Sequence, residues 1–162
     1  MKISKIRDWF THIQTPKQEL GGMPICPFAK AAIMNKQFII EQCSLEDIDE
    51  KVNECDIQKY KVCIFYLPTY KEYTVEKLEQ KTKQLTDKYR KDDKVILDND
   101  PRNPFIIQGV TTTFDECYLW IVQSLEDLTQ KSNILKTTDY YKYWTKDQID
   151  EVVTWRTINN PQ

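Results

Sequence analysis

The apolar residues of the first hundred positions follow a pattern that predicts helices alternating with strands. The chain begins with helical spacing, and we expect this amphipathic helix to end before Pro16; its apolar face is Ile3, Ile6, Phe10 and Ile13. The run 38–43 predicts a strand, and Ser44 is placed to cap the helix that follows it. Residues 61–67 are almost continuously apolar, which predicts a central strand covered on both faces and ended by Pro68.

The second part of the chain continues this alternation. Residues 74–91 carry a narrow apolar stripe among charged residues, which is typical of a surface helix. Residues 94–97 predict a third strand and residues 105–107 a fourth. The strongest helical spacing comes next, over residues 113–128, and its apolar positions are Phe114, Cys117, Tyr118, Ile121, Leu125 and Leu128.

Two capping-box patterns mark where the last helices are expected to begin. In a capping box, the side chains of the N-cap residue and of the third helical residue each accept a bond from the other's backbone. Residues 113–116 (Thr-Phe-Asp-Glu) fit this spacing and predict the start of the helix over 113–128. Thr145 and Gln148 fit it again and predict a last helix running to about Trp155.

The connections between these elements predict the topology. Each connection between the first three strands contains a helix, so parallel right-handed crossovers are available to both. The short connection 98–104 instead turns the fourth strand back antiparallel. We therefore predict an α+β (or α/β) fold with a small, mixed, partly parallel sheet of three to four strands packed by five to six helices. Residues 1–162 are expected to form a single globular domain.

Composition excludes several classes of function. The net charge is −2, so no overall field attracts nucleic acid or an acidic membrane surface. The chain has 3 glycines, too few for a Gly-rich phosphate loop. It has one histidine, His12, so multi-histidine metal sites are excluded and one imidazole remains for a catalytic pair. We expect no cofactor, no dedicated metal site, no nucleic acid and no membrane association.

Cysteine usage predicts the compartment. The N-terminal residues are interrupted by charges and lack the apolar core of a signal peptide, and no stretch approaches a membrane span. The cysteines form no C-x-x-C pair, and five of them cannot all be paired within one chain. We therefore expect a cytoplasmic protein in which all five thiols are reduced; they are Cys26, Cys43, Cys55, Cys63 and Cys117.

Cys26 has the most favourable position for a reactive thiol. Cys26 and Pro27 have the pattern of an N-cap and first residue of a helix running to about Asn35. At that position, free backbone N–H groups and the helix dipole favour a thiolate, and Lys30 adds positive charge one turn later. The alternative is a small buried residue at a loop–helix junction, because cysteine is among the most frequently buried residues.

The same motif carries a resemblance. Trp9 in a first helix, then Cys26-Pro27-Phe28-Ala29-Lys30-Ala31, then a strand ending in Leu67-Pro68, resembles an uncharacterised bacterial family known as a domain of unknown function. The resemblance implies a compact cytoplasmic domain and singles out Cys26. Members of that family carry histidines in their second half and this chain has none there, so no histidine-assisted mechanism is carried over.

A polar loop follows the predicted third strand, at the end of the strand where ligands bind in open α/β sheets. Asp98, Asp100 and Asn103 offer oxygen ligands, and Arg102 can hold a carboxylate or phosphate in bidentate fashion. The alternative is a plain turn, since Asp, Asn and Pro are common turn residues. We expect this loop and Cys26 to lie on the same side of the sheet and to share one cleft.

Three function classes follow from these observations. A thiol-dependent enzyme acting on a small molecule would use Cys26 as nucleophile, assisted by Asp98 or His12, with the ligand held by Asp100, Arg102, Asn103 and Lys30. A non-enzymatic interaction module would bind a protein partner or a second copy through the aromatic residues 140–144 and the charged helix 74–91. A small-molecule or metal binder would use Asp98 and Asp100. We place the enzyme first.

Overall fold

A computed structural model of the chain describes residues 3–158, which form a mixed α+β structure, as predicted. The strands are β1 Phe38–Gln42, β2 Val62–Leu67, β3 Lys94–Asn99, β4 Ile106–Ile107, β5 Val110–Thr111 and β6 Tyr118–Ser124. The α-helices are α1 Ile3–Gln14, α2 Ala29–Met34, α3 Ile48–Glu54, α4 Val75–Tyr89, α5 Leu125–Lys136, α6 Lys146–Ile149 and α7 Trp155–Ile158.

The main sheet has four strands in the order β1-β2-β6-β3. β1 pairs with β2 in parallel, whereas β6 lies between β2 and β3 and is antiparallel to both. The strands β1, β2 and β3 therefore run in the same direction, and their carboxyl ends lie at one edge of the sheet. This is the placement that the crossover argument predicted, although β2 and β3 are not neighbours.

Helices cover the two faces of the sheet differently. On one face, α3 and α4 pack together, and the Lys88 ammonium of α4 lies 2.6 Å from the Asp49 carboxylate of α3. On the opposite face, α1 packs against α2, and the ring of Phe10 on α1 stacks on Phe38 of β1 at a centroid distance of 5.7 Å. The core lies between these layers, and every residue of β2 is buried.

The predicted helix over residues 113–128 is wrong. Residues 118–124 form β6, and α5 begins only at Leu125. The hydroxyl of Thr113 does not cap a helix but accepts a hydrogen bond from the Phe105 backbone at 2.8 Å. Helical spacing was misleading because Tyr118–Val122 is an unbroken apolar run and lacks the two-residue alternation that identifies a strand.

The predicted fourth strand also has a different place. Ile106 and Ile107 pair with Val110 and Thr111 in a separate two-stranded hairpin, and the antiparallel neighbour of β3 is β6. Gln108 and Gly109 form the turn, both with positive φ, as a tight hairpin turn requires. A two-residue turn thus pairs residues 106–107 locally, without a place in the main sheet.

Several element boundaries are confirmed. α1 ends at Gln14, before Pro16. Thr74 caps α4 by accepting a bond from the Lys77 backbone. The capping box of Thr145 and Gln148 is complete, but α6 is only one turn long, and a π-helical turn at Asp150–Thr154 leads into α7.

The cysteines correct the expectation that all five thiols are reduced. Cys55 and Cys63 form a disulfide, while Cys26, Cys43 and Cys117 are free. The seven residues between the two bonded cysteines lead from the end of α3 back into β2, and this return brings the sulfurs together. Across residues 3–158, no helix is long and apolar enough to cross a membrane.

Candidate functional site

A cavity of about 1000 Å³ runs along β3, the edge strand of the sheet. Side chains of β3 and β6 contribute to it from the sheet, notably Leu97, Ile121 and Gln123. α4 and α5 line it further, together with residues 140–156, which follow α5 and which we call the C-terminal segment. Cys26 and the polar loop after β3 also line it, so the cavity extends over much of the molecule.

Much of the cavity wall is apolar and aromatic. The rings of Tyr141 and Trp144 lie 5.3 Å apart between centroids, and Phe105 lies 5.8 Å from Trp144. The Tyr140 hydroxyl donates to the Ile25 carbonyl, which ties the C-terminal segment to the turn that holds Cys26. The aromatic residues 140–144 therefore connect elements of this molecule, and three of them, Tyr140, Tyr141 and Trp144, line the cavity.

Cys26 lies in a turn that precedes α2, rather than at the N-cap that the sequence predicted. The helix begins at Ala29, and residues 27–28 form a turn before it. The Ala29 backbone N–H closes this turn by donating to the Cys26 carbonyl at 3.3 Å. Burial raises the pKa of the Cys26 thiol, opposed by the backbone N–H groups of Phe28 and Ala29 and by the Lys131 ammonium. The thiol is half-buried and is not poised as a thiolate, even though the groups that favour one are present.

The polar loop is held by internal bonds. The guanidinium of Arg102 contacts both carboxylate oxygens of Asp100, at 2.7 to 3.2 Å, and its Nη1 donates to the Tyr73 carbonyl at 2.7 Å. The Asn103 backbone donates to the Asp100 carbonyl at 3.0 Å, which closes a turn. Asp100 and Asn103 line the cavity, but the ion-pairing capacity of Arg102 is used within the loop.

Asp98 faces α4, on the side of the sheet away from Leu97 and Ile121. The hydroxyl of Tyr118 donates to its carboxylate at 2.9 Å, and the Thr82 hydroxyl lies 3.0 Å from the Tyr118 hydroxyl and 2.9 Å from the Trp120 indole nitrogen. The pKa of Asp98 is raised, mainly by desolvation among packed neighbours, although the Tyr118 hydrogen bond acts to lower it. The Asp98 residue itself remains exposed at the end of β3 and lines the cavity.

His12 and Lys30 do not line this cavity. His12 lies on α1 with Nε2 3.2 Å from the Thr111 carbonyl and Nδ1 3.1 Å from the Lys17 ammonium, beside a separate shallow pocket of about 420 Å³. Lys30 is exposed on α2. The structure thus brings Cys26, Asp98, Asp100 and Asn103 to one cavity, and it leaves the imidazole elsewhere.

Sequence reasoning missed the basic side chains inside the cavity. Arg156 of α7 is 5% exposed, and its guanidinium donates to the Val152 carbonyl at 2.6 Å and to the Ser132 hydroxyl at 3.3 Å. Arg90 donates to the Arg156 carbonyl, and its Nε is buried with no hydrogen-bond partner within the described part of the chain. No sequence signal marked them, because Arg90 stands in a charged run typical of a solvated face and a single arginine such as Arg156 forms no motif.

No group of three or more His, Cys, Asp or Glu side chains within residues 3–158 is arranged to hold a metal ion. Comparison with protein-family models, with curated proteins and with solved structures finds no match to this chain. The function therefore depends on what the cavity and the residues that line it can bind.

Proposed function

We propose that this protein binds a small molecule in the cavity along β3. The observation that carries the proposal is the volume of about 1000 Å³, the upper end of the range of ~300–1,000 Å³ that is typical of ligand pockets. If side chains filled this space, the chain of 162 residues would bury more apolar surface and be more stable. A ligand that fills the space would bury that surface instead.

The composition of the walls supports a ligand with an apolar, planar part. Phe105, Tyr141 and Trp144 present aromatic rings, and Leu97 and Ile121 are only partly buried. Flat apolar molecules pack favourably against such rings. A few polar groups, including Ser132 and Gln123, are available to orient the ligand.

Titration with the neutral dye N-phenyl-1-naphthylamine tests this proposal. The dye fluoresces in apolar surroundings and can be excited directly, outside tryptophan absorption. We expect saturable binding, and we expect Leu128→Trp, which fills space at a half-buried cavity position on α5, to weaken it about tenfold or more. Ile134→Trp is the matched control, because Ile134 lies on the same helix and is 59% exposed.

Two results would contradict the proposal. One is the absence of saturable dye binding to the folded protein. The other is an equal loss of affinity in the Leu128 and Ile134 variants, which would place the dye outside the cavity.

Thiol chemistry on the bound molecule is a second candidate, and the placement of Cys26 favours it. The Cys26 side chain lines the cavity, and backbone N–H groups and Lys131 act to lower its pKa against the effect of burial. A ligand that displaces water from the cavity and carries an electrophilic group would lie beside the Cys26 thiol. A base on the same ligand would remove the thiol proton, and the Cys26 thiolate would then act as the nucleophile. Cys26→Ser should then abolish turnover of such a ligand while leaving dye affinity within about twofold, because the two side chains have similar volumes.

The interaction-module hypothesis depends on surfaces that the fold uses internally. Tyr140 is buried, and Tyr141 and Trp144 are partly buried against each other and the cavity. The charged face of α4 stays available for a partner. A protein partner, a second copy of the chain and a cytoplasmic location remain predictions.

A further inference from the structure

Arg156 is a buried cation without an anionic neighbour in the described part of the chain. Its guanidinium is bound to a carbonyl and a hydroxyl, both neutral groups. The ion pairs formed within residues 3–158 use other cations; they involve Lys5, Lys51, Lys88, Arg102, Lys131 and Lys146. Burial lowers the pKa of Arg156, with an opposing contribution from the Tyr141 hydroxyl. A buried charge that lacks a partner is costly, so its retention beside a cavity suggests an anion from outside.

Arg90 adds a second positive charge to the same cavity wall. Its Nη2 donates to the backbone carbonyl of Arg156, which places the Arg90 guanidinium beside the Arg156 backbone. The buried Nε of Arg90 has no partner within residues 3–158. Both arginines line the cavity, and the Ser132 hydroxyl that holds Arg156 lines it as well.

The acidic side chains of the cavity do not neutralise these arginines. Glu79, Asp87 and Glu151 belong to exposed residues, where water screens their charge, and the Asp98 carboxylate is bonded to the Tyr118 hydroxyl on the side of the sheet that faces α4. Asp100 is buried but is already paired with Arg102. The buried, unpaired charge of the cavity is therefore positive, and electrostatic attraction is strongest where water is excluded.

We infer that the cavity accepts an anionic ligand, a planar apolar molecule bearing a carboxylate or phosphate group, whose anion is held by Arg156 and Arg90. This inference rests on the proposed small-molecule function and adds the charge class of the ligand. A guanidinium group presents parallel N–H donors that match the oxygens of a carboxylate or phosphate. The aromatic wall formed by Tyr141 and Trp144 then packs against the apolar part.

A matched pair of dyes separates the charge from the cavity itself. N-phenyl-1-naphthylamine and 1-anilinonaphthalene-8-sulfonate share one aromatic skeleton, and only the second carries an anionic group. We expect the sulfonate dye to bind the unmodified protein about tenfold or more tightly than the neutral dye, the range for a hydrogen-bonded charge. Equal affinities, or tighter binding of the neutral dye, would overturn the inference and leave the proposed function standing.

Three variants assign the effect to the arginines. Arg156→Gln and Arg90→Gln should each weaken the sulfonate dye about tenfold and leave the neutral dye within about twofold. Lys136→Gln is the control, because it removes an exposed positive charge from α5 outside the cavity. A loss of the sulfonate dye in the Lys136 variant equal to that in the arginine variants would show a nonspecific charge effect and contradict the inference.

Competition on the unmodified protein keeps the test valid even where an arginine variant fails to fold. Inorganic phosphate and acetate represent the two anion chemistries without an aromatic ring, and at least one should displace the sulfonate dye at constant ionic strength without displacing the neutral dye. Whichever anion competes identifies the class. Competition by neither anion would overturn the inference, whereas failure of both dyes to bind would overturn the proposed function.

Discussion

The two faces of β6 differ sharply although they are built from alternating residues of one strand. Trp120 and Val122 are fully buried on the face towards α4. Ile121 and Gln123, their immediate neighbours, point to the opposite face, remain partly exposed and line the cavity. We call the first the closed face and the second the open face. Successive side chains of a strand point to opposite faces, and the elements packed against each face of β6 decide how deeply it is buried.

The polar groups of the closed face and those of the cavity differ in their hydrogen bonding. On the closed face, the hydroxyls of Tyr118 and Thr82, the Trp120 indole and the Asp98 carboxylate form one continuous hydrogen-bonded chain. In the cavity, by contrast, the Arg156 guanidinium is bound only to neutral groups. The Nε of Arg90 has no hydrogen-bond partner within residues 3–158. The polar groups of the closed face bond to one another, even though Asp98 and Thr82 also line the cavity, whereas the two arginines have the features of a site that a ligand completes.

The largest expected effect is a difference in stability between two adjacent residues of β6. Trp120→Ala should lower the free energy of unfolding by about 3–5 kcal/mol, because it leaves a cavity and removes the bond to Thr82. Ile121→Ala should cost less than about 2 kcal/mol, since that side chain is only partly buried. Urea unfolding measures both values. Equal losses would mean that the two faces are packed alike.

Thiol reactivity compares the open side with the core. Among the free thiols, Cys26 should react with iodoacetamide at least about tenfold faster than Cys43 or Cys117, which are buried. Burial raises the pKa of Cys117 to about 12 and also raises that of Cys43. Because the pKa of Cys26 is raised as well, its rate should still be increasing at pH 9.

Peptide mapping after timed labelling measures these rates, and prior addition of the neutral dye should protect Cys26. Faster labelling of Cys43 or Cys117 would remove the chemical basis for thiol chemistry in the cavity. The same experiment tests the pairing of Cys55 with Cys63, whose peptides should be labelled only after reduction.

The hydrogen-bonded chain of the closed face can be cut at Tyr118. Tyr118→Phe should cost about 1–2 kcal/mol, because it removes the donor to Asp98 and the contact to Thr82. It should also raise the pKa of Asp98 further, since the Tyr118 hydrogen bond acts to lower it. NMR titration of the Asp98 carboxyl carbon measures the shift, and Tyr140→Phe, a tyrosine bonded to Ile25, is the control.

The Asp98 carboxylate also makes the stability of the protein depend on pH, in a direction that its pKa shift predicts. The pKa of Asp98 in the folded protein is raised above its ordinary value of 3.8, so the fold favours the protonated form. Its contribution is present below pH 3.8 and is lost as the pH rises through the folded pKa. The stability of the unmodified protein relative to Asp98→Asn should therefore fall over that range. A rise would mean that the pKa is lowered.

The smallest effect compares two helix caps on the two sides. Thr74 caps α4 beside the closed face, and Thr145 caps α6 beside the cavity. Each Thr→Ala change should cost about 1 kcal/mol. Thr145→Ala should also speed hydrogen exchange over residues 145–156, whereas Thr74→Ala should leave exchange there unchanged. Equal exchange in the two variants would show that the C-terminal segment does not depend on its cap.

Local chemistry made part of the candidate site predictable. The Cys26 motif and the polar loop stood out by residue type, and both line the cavity. The arginines did not stand out, because whether an arginine is solvated or buried depends on what packs over it. Arg156 is buried by elements far away in the chain, including Ser132 of α5.

The sequence by itself determined the elements whose signals are local. The apolar spacing of α1, the cap Thr145 and the continuously apolar β2 all act within a few residues, so they can be predicted without knowledge of the fold. Only the tertiary structure decided that residues 118–124 form a strand. That segment suits a helix by spacing, and it becomes a strand because β2 and β3 both offer it unpaired edges, a choice made by partners distant in sequence. The same long-range packing left a space beside β3, and with it the cavity on which the proposed function depends.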